Sequence, residues 1–134
     1  MRLSTARFPL VISVLLLLGY LSKASAQFAD GKVAYSEMLA AKAVILDVRE
    51  KNEVTQGMVK GAQWIALSEL NSHPDQTVRK VKALANDSKI YVYCRSGSRS
   101  AKFIDQIKDY GLKALNLGGF ESLQAQGLPS QARP

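Results

Sequence analysis

The one cysteine of this chain, Cys94, opens the run Cys94-Arg95-Ser96-Gly97-Ser98-Arg99-Ser100, whose residue types suit the ionisation of a thiol. The stretch Lys89-Ile90-Tyr91-Val92-Tyr93 before it reads as a strand. A helical pattern follows it, so the sulfur is expected where a strand ends and a helix begins. Open α/β sheets gather ligands beyond the carboxyl ends of their strands. A helix start offers unpaired N–H groups and the positive pole of the macrodipole. A loop curled round the sulfur would turn those amides into an anion nest and favour the thiolate, the form in which cysteine is a nucleophile. The dipole alone contributes about 0.3–1 kcal/mol, or about 2 when partly buried. At about 1.4 kcal/mol per pH unit, it lowers the thiol by roughly one unit. Anything more must come from loop hydrogen bonds and from the guanidinium groups of Arg95 and Arg99. Those two also present planar, bidentate donors to an incoming oxyanion. Gly97 can adopt a positive φ and bring backbone close to the sulfur. Ser96, Ser98 and Ser100 add hydroxyl donors. The competing reading is a cysteine buried as a small hydrophobe, but Arg-Ser-Gly-Ser-Arg-Ser is a poor core sequence.

Composition removes several other chemistries. With one Cys and one His in 134 residues, no internal disulfide can form. A Cys/His metal cluster lacks ligands, so neither metal nor cofactor is expected. A Ser-His-Asp triad would need His73, which lies in Asn71-Ser72-His73-Pro74-Asp75 and reads as a solvated turn. Thiol–disulfide exchange would lack a resolving cysteine.

The elements that must carry the loop alternate between helix and strand, which predicts an α/β domain with a mainly parallel sheet. Strands are expected at Val44–Val48, near Gly61–Ile65, at Lys89–Tyr93 and at Ala114–Leu117. Helices are expected at Ser36–Ala41, Lys51–Gln56, Leu67–Leu70, Thr77–Asn86, Ala101–Tyr110 and Phe120–Gln126. Ahead of them lies a different kind of segment. Arg2 and Arg7 precede the apolar run Leu10–Leu18, and Ala24-Ser25-Ala26 follows, the order of a secretory signal peptide. The apolar run is shorter than the ~20 residues of a spanning helix. Residues 1–26 are therefore expected to be cleaved, leaving 27–134 as one exported domain, most simply periplasmic, with no stable membrane association. The leader holds Arg2, Arg7 and Lys23 and no acid, so its loss takes three cations from the net charge of +7 and leaves +4. That value is ordinary for a soluble domain. No basic stripe with interleaved aromatics supports nucleic-acid binding, whereas a small anionic substrate suits the residual charge.

The Cys94–Ser100 run resembles the active-site loop of the rhodanese family, Cys-Arg-x-Gly-x-Arg-Ser. Leu46-Asp47-Val48-Arg49-Glu50 resembles that family's Asp-Val-Arg strand. Gly57-Met58-Val59-Lys60-Gly61-Ala62 resembles its Gly-His-Ile-x-Gly-Ala segment, and Leu117-Gly118-Gly119-Phe120 its late Gly-Gly turn. The resemblance spans nearly all of residues 33–127. It implies an open, mainly parallel five-stranded sheet with helices on both faces. It implies a sulfurtransferase that moves the sulfane sulfur of thiosulfate, or a similar donor, through a Cys94 persulfide to cyanide or a thiol. Arg95 and Arg99 would orient the anionic donor, within a substrate-binding loop of Arg95, Ser96, Gly97, Ser98, Arg99 and Ser100. Asp47 and Arg49 would support the loop structurally. The sequence departs from the family at Met58, where a His is usual, at Ala66 and Trp64 after the second strand, and at Leu123, where a Trp is common. Two other functions fit less well or equally. A cysteine phosphatase would use a Cys-x5-Arg loop, but only four residues separate Cys94 from Arg99, and the tighter loop suits a sulfur atom better than a phosphate. A non-catalytic persulfide carrier that hands sulfur to a protein acceptor would need the same loop.

Overall fold

A computed structural model describes residues 28–133. The expected signal peptide and its cleavage point after Ala26 lie outside those residues. In chain order the elements are α1 (Gly31–Leu39), β1 (Ala43–Asp47), α2 (Lys51–Val54), β2 (Met58–Val59), β3 (Gln63–Trp64), α3 (Leu67–Ser72), α4 (Pro74–Ala85), β4 (Lys89–Cys94), α5 (Ser98–Lys108), β5 (Ala114–Gly119), α6 (Phe120–Ala125) and β6 (Ser130–Gln131). Four strands form a parallel sheet in the order β3-β1-β4-β5, while β2 and β6 make a separate antiparallel pair.

Strand alternation decides which side chain meets which layer. From β4, Ile90, Val92 and Cys94 enter one core with Leu46 and Val48 of the β1 stretch, Leu70 of α3, Val78 and Val81 of α4, and Phe103 and Ile107 of α5. Tyr91 and Tyr93 point the other way, onto Ile45, Ala34 of α1, Met58 and Val59 of β2, and Leu123 of α6. Both faces of the central strands are thus buried. That explains why Val44–Val48 and Lys89–Tyr93 read as nearly continuous apolar runs.

The α/β architecture with helices on both faces matches the expectation; the strand count does not. In place of five strands in one sheet there are four, with the two-residue pair β2–β6 beside them. A two-residue ladder has no periodicity to read, and its partners Met58 and Gln131 lie far apart in sequence. Three helix starts also fall earlier than expected, one of them α5, which opens at Ser98 rather than Ala101. Asp30 caps α1, its carboxylate accepting the amides of Lys32 at 2.8 Å and Val33 at 3.1 Å. This N-cap carries the helix back through Gly31. Pro74 opens α4, because its fixed φ suits the first helical position, where no N–H is needed.

One irregularity bears on the site. Val92 pairs with Asn116 but Tyr93 pairs with Gly118, so Leu117 is an extra residue in β5. Such a bulge re-aims the strand beyond it. Here it brings Gly119 opposite Cys94.

Candidate active site

Cys94 is the last residue of β4, with no solvent exposure, and its side chain lies on the α5 side of the sheet. The chain turns back at once. The Gly97 amide donates to the Cys94 Sγ at 3.0 Å, and the Ser100 Oγ lies 3.5 Å from it. Gly97 has φ +97 and serves as the N-cap of α5. Glycine adopts that backbone without strain, which is how the loop closes in so few residues. Burial is the largest influence on the thiol and pushes it up. The Ser100 side chain beside it and hydrogen bonds from the backbone amides of Ser100, Ser96 and Gly97 pull it down, and the pull wins. The cysteine is therefore buried without being a plain core residue: the following amides aim at its sulfur, and the thiol sits below its ordinary value.

Gly119 makes the closeness of β5 possible. A Cβ there would collide with the Arg95 carbonyl group. On the outer side of the loop lies Phe28. A Cβ added to Gly97 would come 2.6 Å from its ring, and one added to Gly118 would come 2.9 Å from it. The Ala29 amide donates to the Asn116 carbonyl at 2.8 Å and holds this short lead-in segment against β5.

The expected loop residues divide. Gly97 and Ser100 are buried at the sulfur, while Arg95, Ser96 and Ser98 are exposed. Arg99 points elsewhere. Its guanidinium makes a bidentate pair with Glu53 of α2, Nη1 to Oε2 at 2.6 Å and Nη2 to Oε1 at 2.7 Å. In this state Arg99 is bound to a carboxylate of the protein and is not a free anion receptor, as the sequence had suggested. The Arg99 hydrogen bonds, with help from the Glu50 amide at 3.0 Å, hold the Glu53 carboxyl down at about 2. Glu53 was not expected from sequence, because it lies 46 positions from its partner.

Asp47 and Arg49 form a buried ion pair at the end of β1, with Arg49 Nη2 on Asp47 Oδ2 at 2.8 Å and Nε at 3.1 Å from both carboxylate oxygens. Arg49 also donates to the Gly57 carbonyl at 2.7 Å, and its guanidinium carbon stands 4.3 Å from the Phe120 ring centroid. Trp64 Nε1 donates to the Arg49 carbonyl at 2.8 Å, and Arg133 lies over the Trp64 ring at 3.9 Å. The pair thus ties β1 to the turn before β2 and to α6. Met58, where the family has a polar residue, is buried in the second core. His73 is exposed between α3 and α4.

A cleft of about 400 Å³ opens beside the loop, lined by Asn52, Glu53, Arg95, Phe120, Glu121 and Gln124 among others. Its lining is mostly polar and carries both signs of charge. Among the described residues no cluster of three or more His, Cys, Asp or Glu side chains is arranged to hold a metal ion.

Asn116 was the other residue that sequence reasoning passed over, although it left a signal. An amide side chain between Leu115 and Leu117 is out of place in a strand. Its Nδ2 donates to the Gly97 carbonyl at 2.9 Å, and its Oδ1 accepts the Ser100 hydroxyl at 2.8 Å and the Gly118 amide at 2.9 Å.

The rhodanese-like domain family matches residues 32–126. The Bacillus subtilis (strain 168) protein YqhL is 33% identical over 82 residues, which is 60% of this chain and 60% of YqhL. YtwF of the same organism is 32% identical over 75 residues, covering 56% of this chain and 66% of YtwF. The match thus spans less than two thirds of either relative. The crystal structure of a rhodanese-related protein from Thermoplasma volcanium superposes with a TM-score of 0.63 at 28% identity, covering 80% of this chain and 99% of that one.

Proposed function

Given that this chain belongs to the rhodanese-like domain family, we propose that it is a sulfurtransferase working through a persulfide on Cys94. The observation that carries the reading is the hydrogen bond from the Gly97 amide to the Cys94 sulfur, in a loop whose amides stabilise the thiolate. The relative YtwF, provisionally named a sulfurtransferase, supports the same chemistry.

In the first half-reaction the Cys94 thiolate attacks the outer sulfur of thiosulfate or a similar small anionic donor. A Cys94 S–S bond forms, the donor's S–S bond breaks, and sulfite leaves with its electron pair. In the second, cyanide or a thiolate attacks the outer sulfur of the persulfide. The new bond to the acceptor forms as the Cys94 thiolate departs. No proton need be removed from Cys94 during either step when the thiol is already ionised, so no histidine is required. The nest serves both halves, because a thiolate and a persulfide are both anions that accept amide hydrogen bonds. Among the described residues that line the cleft, Arg95 is an exposed cation free to meet the donor. Arg99 would join it only by leaving Glu53. Because Cys94 is wholly buried, a donor reaches the sulfur only after side chains of the loop shift.

The test is intact mass spectrometry of the protein before and after thiosulfate. The wild type should gain one sulfur atom and lose it again to cyanide, and Cys94→Ser should gain none. A wild-type protein that takes no sulfur would remove the proposal. Turnover separates the enzyme from a carrier: a stoichiometric persulfide passed only to a protein acceptor would favour the carrier. The exported, periplasmic location is proposed on the order of residues 1–26 alone. N-terminal mass analysis of the secreted protein tests it, with Gln27 as the expected first residue.

A further inference from the structure

We propose that Asn116 is the positioning residue of the Cys94 loop: by bridging the Gly97 carbonyl and the Ser100 hydroxyl, it keeps the backbone amides of that loop aimed at the sulfur. The proposal rests on reading Cys94 as the nucleophile, but it concerns how the thiolate is maintained, whatever the sulfur donor.

The bonding of Asn116 leaves little freedom. A side-chain amide has two donor hydrogens and one carbonyl oxygen. The Asn116 Nδ2 donates at 2.9 Å to the carbonyl of Gly97, the residue whose own amide donates to the sulfur at 3.0 Å. Fixing one end of that residue fixes the direction of the other, because the Gly97 carbonyl and N–H share one short backbone unit at φ +97. The Asn116 Oδ1 meanwhile accepts the Ser100 hydroxyl at 2.8 Å, and Ser100 also touches the sulfur. A third bond, from the Gly118 amide to the same Oδ1 at 2.9 Å, closes the bulge that Leu117 makes in β5 and sets the position from which the Asn116 side chain reaches across. One side chain of β5 therefore grips the loop at two points after Cys94, Gly97 and Ser100, and is itself anchored to its own strand. The Ala29 amide on the Asn116 carbonyl adds a fourth tie.

The rest of the surroundings cannot take over this task. The charged groups around Cys94 are Arg95 and Arg99 of its own loop and helix, Glu53 of α2 paired with Arg99, and the Asp47–Arg49 pair at the end of β1. Strand β5, Ala114–Gly119, contributes no titratable side chain. Arg99 is spent on Glu53 and Arg49 on Asp47, so hydrogen bonds from the loop carry most of the stabilisation of the thiolate. Removing the clamp has two opposed effects. It releases the Ser100 proton, which is then free to serve the sulfur, and it unfastens the Gly97 amide. Unfastening Gly97 loosens the stretch of backbone that carries the Ser96, Gly97 and Ser100 amides together, so the second effect dominates.

The experiment titrates Cys94 by its rate of alkylation with iodoacetamide across pH, with no sulfur donor present. Asn116→Ala should raise the midpoint by about one pH unit, which is about a tenfold loss of thiolate at pH values below it. Its far-ultraviolet circular dichroism should match the wild type. A midpoint equal to or below that of the wild type would overturn the proposal. Should the variant not fold, hydrogen exchange in the wild type decides. The side-chain amide protons of Asn116 should exchange far more slowly than those of exposed Asn52; equal rates would also overturn it. Failure here leaves persulfide formation by the wild type standing. Failure of the wild type to take up sulfur leaves this titration standing.

Discussion

Replacing Glu53 by Gln keeps the shape of the side chain but removes the charge that the Arg99 guanidinium grips at two points. The carboxyl descends from its ordinary 4.5 to about 2, chiefly through its hydrogen bonds to Arg99. At about 1.4 kcal/mol per pH unit, that descent has an upper bound of about 3.5 kcal/mol. The two side chains remain 28% and 24% exposed, so water screens part of the attraction. A loss of about 1–2 kcal/mol at neutral pH is expected for a partly buried, bidentate pair. The sign with pH follows from the direction of the displacement. A carboxyl whose folded value is depressed contributes stability above its unfolded value near 4.5, and that contribution drains away as pH falls toward about 2. Urea unfolding of wild type and Glu53→Gln should therefore show a clear gap at pH 7. At about pH 3 the gap should shrink to less than half, because the unfolded carboxyl is protonated there. A gap of equal size at both pH values would refute the assignment of Glu53, as would no gap at pH 7.

Three other outcomes are expected. Gly119→Ala drives a methyl group into the Arg95 carbonyl; thiosulfate-dependent sulfur loading should fall by more than about tenfold while circular dichroism is unchanged, since the collision displaces backbone beside the nucleophile. Asp47→Asn leaves Arg49 buried without its counter-charge and should cost about 3–5 kcal/mol in chemical denaturation; a loss below about 1 kcal/mol would show that the pair is not isolated from water. Because its loop lowers the Cys94 thiol, alkylation should persist at pH values below the ordinary thiol range, and Gly97→Ala, which forces the ring of Phe28 away and strains a positive φ, should abolish that advantage.

The legibility of this protein followed the range of the interaction concerned. Strand β4 and the turn after it were readable because Ile90-Tyr91-Val92-Tyr93 is apolar on both faces and the residues after Cys94 are abruptly small and polar. The helices announced themselves through spacing, although the Asp30 cap and the fixed φ of Pro74 moved two starts toward the N-terminus. What could not be read was pairing across the chain. Nothing in the sequence near Arg99 says that its partner is Glu53, and nothing in Met58-Val59 foretells Ser130-Gln131. Asn116 lies between these cases. An isolated amide flanked by leucines conflicts with strand propensity, and that conflict marked a position where the strand does something other than pack.

Phe28 and Ala29 make the edge of this domain a working part of it. Among the described residues the sheet begins at Ala43 and takes no strand from those ahead of α1, yet the ring that backs Gly97 and the amide that holds Asn116 both sit ahead of that helix. A peptidase or an engineer trimming back to Asp30 would obtain a protein that melts and scatters light much like the parent, with a slack and sluggish thiol. The functional unit therefore reaches at least as far back as Phe28, ahead of the Asp30 cap that opens the first helix.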